Sequence, residues 1–134
     1  MKLVIDANVI ISMLIRPGKP IKAFLNDNLN LYAPELLLIE IENNREEIFE
    51  KSKLDKKDYE ELHNILMDNI QIVDESQFLK FRDKAEKICP DPKDIAYFAL
   101  ALYLKCGIWT NEKKLKEQKK IEVYATHEII QILN

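Results

Sequence analysis

Apolar residues along this chain fall into short continuous runs alternating with stretches of helical spacing. "KLVID" (residues 2–6) is aliphatic and β-branched, the mark of a strand buried on both faces. "LNLYA" (29–33), "IQIV" (70–73), "GIWT" (107–110) and "IEVYA" (121–125) read as four more strands. Between them the period changes. A short helix follows Asp6, "RPGKP" (16–20) breaks it, and a second helix is expected around Ile21 to Asn28. Pro34 opens a long helix at its first turn, with Leu37, Ile41 and Ile48 on helical spacing. "LDKKDYEELHNILMDN" (54–69) has a start signal at Asp55 and Tyr59, Leu62 and Leu66 on one face. "ESQFLKFRDKAEKI" (75–88) and "DPKDIAYFALALYLKC" (91–106) are predicted helices, the second ended by Gly107. "EKKLKEQ" (112–118) is a short helix, and a last one runs to Leu133.

Strands alternating with helices predict an α/β fold, a three-layer α/β/α sandwich around a central, mostly parallel sheet of about five strands. At 134 residues the chain is expected to form a single domain, 1–134. In such sheets ligands bind beyond the carboxyl ends of the strands, and Asp6 ends the first of them.

Composition excludes several function classes. Net charge is -3, so no global positive field draws in a polyanion. Two glycines rule out a glycine-rich phosphate loop. Cys89 and Cys106 have neither metal nor redox spacing, and His63 and His127 stand far apart, so zinc is not expected. Neither a signal peptide nor a membrane span is legible, and a cytoplasmic location is expected.

The candidate chemistry lies in acids. Asp6 follows four strand-forming residues with no basic neighbour; Glu40 sits amid "LLLIEI"; Asp91 and Asp94 open the apolar helix; Glu112 follows the fourth strand. Each has a plainer role. Asp91 and Asp94 suit a helix start, Glu112 a first turn, and Glu40 the edge of a solvated face shared with Glu42. Together they are harder to explain away, because parallel connectivity brings them all to one sheet edge. Two carboxylates about 4 Å apart repel by roughly 4 kcal/mol at an effective dielectric near 20. No lysine or arginine is expected among them, so the natural partner is a hard dication, Mg²⁺ or Mn²⁺.

With these residues in hand, the chain resembles the PIN-domain family, metal-dependent nucleases that include the VapC-type toxins of toxin–antitoxin pairs. "VIDANVIIS" is similar to the family's first motif, "APELLLIEI" to its second, "DPKDIAYFALAL" to its third and "GIWTNEKKL" to its fourth. Glu112 stands where the fourth motif usually has aspartate. The resemblance implies hydrolysis of single-stranded RNA by metal-activated water. Asp6, Glu40, Asp94 and Glu112 would be catalytic and hold one or two ions, with Asp91 accessory. Asn8, Ser12, Thr110 and Asn111 would position ligands or substrate. Arg16, Lys19 and Lys22, placed near the same edge, and Lys113, Lys114 and Lys116 in "KKLKEQKK" would contact phosphates. An antitoxin protein and a second copy of the chain, pairing through helices between Ile48 and Met67, are the partners implied.

Two other readings compete. One is a PIN-like module that binds RNA or protein without catalysis. The other is a phosphoacceptor receiver domain using Asp74, but that chemistry needs paired acids after the first strand, where this chain has Asp6-Ala7, and a lysine after the fifth, where "YATHE" has none. A haloacid-dehalogenase-type phosphatase fails likewise, since Asn8 cannot serve as its acid.

Overall fold

The computed structural model describes residues 1–134. Its strands are β1 (Lys2–Ile5), β2 (Asn30–Pro34), β3 (Ile70–Val73), β4 (Gly107–Trp109) and β5 (Val123–Tyr124). Its helices are α1 (Ala7–Ile15), α2 (Lys19–Phe24), α3 (Glu35–Asn43), α4 (Arg45–Ser52), α5 (Lys56–Asp68), α6 (Arg82–Ile88), α7 (Ile95–Leu104) and α8 (Thr126–Leu133). The sheet is parallel throughout, in the order β3-β2-β1-β4-β5. From β1 the chain builds outward through β2 and β3, then returns to place β4 on the other side of β1. The order therefore switches between β1 and β4.

Burial explains the strand patterns. Leu3, Val4 and Ile5 are all fully buried, as required of a central strand covered on both faces. The apolar helix α7 packs across β1, β2 and β4 with α6 beside it, while α1 packs against α3, α4 and α5. No helix is long and apolar enough to cross a membrane.

Several boundaries differ from the sequence expectation, each for a local reason. The helix expected to run on from Pro34 is two helices, parted at Asn44, whose side-chain amide donates to the Glu40 carbonyl at 2.7 Å. Pro34 closes β2 and precedes α3 rather than lying within it. The helix expected at Ile21 to Asn28 begins and ends earlier, with Pro20 in its first turn. Residues 75–81 form two 3-10 turns before α6, and residues 113–117 form another. β5 keeps only two of its five expected residues.

Gly107 does not end α7. The chain turns at Lys105, whose φ of 55° is left-handed, and Gly107 starts β4. A Cβ there would lie 2.8 Å from Tyr124 Cε2 and 2.9 Å from the Glu122 carbonyl oxygen, so glycine serves close approach rather than helix termination.

Candidate metal centre

The strand order switches between β1 and β4, and Asp6 follows β1 at this carboxyl edge of the sheet. Its backbone N–H donates to the Trp109 carbonyl at 2.9 Å, tying it to β4. Locally Asp6 caps α1: its Oδ1 accepts from the Asn8 N–H at 3.3 Å. Its Oδ2 accepts from the Thr110 hydroxyl at 2.8 Å. Capping and the helix dipole favour the carboxylate, but Asp6 is only 4% exposed. Burial dominates, and the charges of Glu40 and Glu112 add to it, raising its pKa to about 6.

Asp94 arrives from the 3-10 turn Pro92–Asp94 that leads into α7, and is also buried. Its Oδ2 has no hydrogen-bond donor at all. Burial, the nearby charge of Asp6 and a hydrogen bond shared with Glu112 push its pKa up to about 8. Glu112, half-buried just beyond β4, completes the group. One carboxylate oxygen from each of Asp6, Asp94 and Glu112 lies within 4.8 Å of the others.

Glu40 stands outside that trio, but its charge is felt at Asp6. It is held from α7, where the Tyr97 hydroxyl donates to its Oε1 at 2.6 Å. Tyr97 was not singled out from sequence. A lone hydroxyl-bearing residue in "IAYFALAL", buried and three positions past Asp94, was the signal.

The polar residues expected to position the acids form one chain of hydrogen bonds. Thr110 donates to Asp6 and accepts from the Asn8 side-chain amide at 3.2 Å and from the Glu112 N–H at 3.1 Å. Asn8 Oδ1 accepts from the Asn111 N–H at 3.3 Å. Asn111 Oδ1 in turn accepts from the Thr126 hydroxyl at 2.9 Å, and that hydroxyl accepts from the Trp109 indole at 3.1 Å. Ser12, one turn past Asn8 and exposed, takes no side-chain part in this network.

The basic residues divide. Lys113 and Lys114 are exposed immediately after Glu112. Lys116 is ion-paired with Glu128, which also accepts from the Ala125 N–H that begins α8. Arg16 lies past the far end of α1, ten residues and so about 15 Å along the axis from Asp6. Lys19 and Lys22 line a cavity of about 330 Å³ with Ile130, Leu133 and Asn134 at the end of α8 remote from Asn111. These three therefore lie away from the acidic rim, because α1 and α8 both run away from it.

One basic group is close to the acids, against expectation. Lys93 Nζ lies 3.6 Å from Glu112 Oε1 and 3.9 Å from Asp91 Oδ2, and the Lys93 N–H donates to Asp91 Oδ1 at 3.2 Å. It does not pair with Asp6 or Asp94, which form no ion pair. Asp74 follows β3 two strands away and is hydrogen-bonded to Ser76 and Glu35.

Do these residues fit a metal ion? Every donor is oxygen, which selects a hard cation. The undonated, buried Asp94 Oδ2 is a polar atom that a cation would satisfy. Burial first, and neighbouring carboxylates after it, raise the pKa values of Asp6 and Asp94, a cost that a bound cation would offset. The donor set fits.

Comparison with known proteins gives one family and one fold. The family model described as PIN domain matches residues 4–129. No curated protein matches the sequence. Among solved structures, the chain is similar to that of VapBC2 from Rickettsia felis bound to a DNA fragment from their promoter. The TM-score is 0.65 at 15% identity, over 93% of this chain and 98% of that one. At that identity the likeness is one of fold.

Proposed function

From the premise that the chain belongs to the PIN-domain family, we propose that it is an endoribonuclease that hydrolyses phosphodiester bonds of single-stranded RNA with Mg²⁺ or Mn²⁺. The observation that carries this reading is the buried trio of Asp6, Asp94 and Glu112, with Asp94 Oδ2 lacking any donor. These three would hold the ion, with Glu40 close enough to bias it electrostatically. When bound, the ion supplies Lewis acidity toward a phosphate oxygen and makes water a competent nucleophile at neutral pH.

The remaining work belongs to the chain's own residues. The Thr110 hydroxyl donates to Asp6 Oδ2, the Asn8 N–H donates to Oδ1, and the Asn8 side-chain amide donates to Thr110, which together fix the Asp6 carboxylate. Tyr97 fixes Glu40. Lys113 and Lys114, exposed beside the rim, are the phosphate contacts this reading retains, and they set affinity without reading bases. Asp6 and Asp94 are buried, which strengthens each charge interaction there.

The PIN-domain family includes toxins of toxin–antitoxin pairs, and the similar fold of VapBC2 supports an antitoxin protein as the partner we expect. Phe49 and Ile65, exposed on α4 and α5, are the apolar positions available for pairing of two copies. Two free cysteines accord with a cytoplasmic setting.

The test is incubation of the purified chain with single-stranded RNA in Mn²⁺, in Mg²⁺ and in chelator. Cleavage should require metal and should fall by about two orders of magnitude or more in Asp6→Asn. RNA that is bound yet uncut under every condition would make the chain a binding module instead.

A further inference from the structure

On the reading that the chain cleaves single-stranded RNA, we infer that the strand runs from the metal centre along residues 113–120 to a second contact site. That site is a lysine-rimmed cavity of about 480 Å³ near the amino end of β4, where a nucleotide distant from the cut is held. Its rim carries Lys84, Lys105 and Lys120 against one acid, Glu122, and its walls include the rings of Phe81 and Tyr124. The three lysines are exposed, and none of the four charged groups forms an ion pair. Gly107 makes room for one wall, since Tyr124 Cε2 lies 2.8 Å from where a Cβ would stand.

The topology joins this cavity to the metal centre. β4 and β5 are parallel, so the segment between them must return from the carboxyl edge, where Glu112 stands, to the amino edge. That segment is "KKLKEQKK", with five lysines against Glu117. Lys116 is taken by Glu128, while Lys113, Lys114, Lys119 and Lys120 are exposed. Free ammonium groups therefore begin beside Glu112 and end at the cavity. From Glu112 back to Gly107 is five residues, at most about 18 Å of extended chain. A local excess of cations on a chain of net charge -3 selects phosphates at this place and not over the whole surface. Aromatic faces beside such a groove take bases by stacking, whatever their sequence. A nucleotide meets both features, phosphate to ammonium and base to ring, whereas an acidic peptide would use the lysines alone.

Fluorescence anisotropy of a labelled, unstructured RNA of about 16 nucleotides with the full chain in chelator reads binding without cleavage. The double variant Lys105→Gln, Lys120→Gln should bind about 10-fold more weakly, and the slope of log affinity against log salt should shrink by about 1.4. Tyr124→Leu should also weaken binding about 10-fold but at an unchanged salt slope, and Tyr124→Phe should restore it. In Mn²⁺ the lysine variant should lower kcat/KM on the long strand and leave that on a dinucleotide, which cannot reach the cavity, as in wild type. No loss on the long strand, or equal losses on both substrates, overturns the inference while wild-type cleavage keeps the nuclease reading standing. Binding of polyglutamate in place of RNA, lost with the same lysines, gives the cavity to an acidic protein segment and overturns it too. Wild type that neither binds nor cuts RNA overturns both.

Discussion

Asp94 gives the sharpest consequence, because the feature that suits it to a cation should harm the fold without one. Its pKa is raised from 3.8 to about 8, chiefly by burial and then by the charge of Asp6 and the bond with Glu112. The sign follows from proton linkage. Between those two values the unfolded chain has lost this proton while the folded chain keeps it, so stability falls as pH rises across that interval. The penalty is absent below pH 3.8 and complete above about pH 8. At about 1.4 kcal/mol per unit the full displacement corresponds to roughly 6 kcal/mol. The rim opens to water on the Glu112 side, and relaxation there reduces the effective cost to about 2–3 kcal/mol. Asp94→Asn removes the charge at nearly constant shape, and its amide can donate to Glu112. In chelator at about pH 7.5 the variant should therefore be more stable than wild type by that amount, or about 10 °C in Tm. The gap should close toward pH 4, where wild type carries the proton too. Mn²⁺ at about 1,000 times its Kd should reverse the comparison, since it adds about 4.1 kcal/mol to wild type alone. Differential scanning calorimetry across pH reads all three. A variant less stable than wild type in chelator, or a gap independent of pH, would refute the account.

Other outcomes follow from the same structure. Affinity for Mn²⁺ should rise with pH up to about 8, because binding must displace the proton held near Asp94; calorimetric titration in buffers of different ionisation enthalpy reads the proton released. Thr110→Val removes the hydroxyl that donates to Asp6 and accepts from Asn8 and Glu112, and should weaken Mn²⁺ binding about 10–100-fold with the fold intact by circular dichroism. Gly107→Ala should destabilise the chain by about 1–3 kcal/mol in denaturant titration, since its Cβ would press on Tyr124 and the Glu122 carbonyl of the adjacent edge strand.

Much of this molecule was legible in the order of its residues. The run "KLVID" marks a buried strand because a strand covered on both faces has no polar alternation. Asp55 marks the start of α5 because a side-chain cap is a local event, and its Oδ1 does accept from the Asp58 N–H at 2.8 Å. An acid at the end of a buried strand, as at Asp6, is anomalous on its own terms, and the PIN resemblance was readable from four motifs. What the sequence could not decide is adjacency. That β4 lies beside β1, bringing Thr110 and Glu112 to Asp6 across more than a hundred residues, depends on which strand closes the core with least exposed surface. The same holds for Tyr97 reaching Glu40 and for the close approach that requires Gly107. Lys93 is the clearest case. Asp91 and Asp94 stand close to it in sequence, yet its pairing with Glu112 appears only when β4 delivers that residue to the rim. Periodicity encodes which face of an element is buried, a short-range property of the chain. Packing of distant elements decides which charges meet, and with them the chemistry of the site.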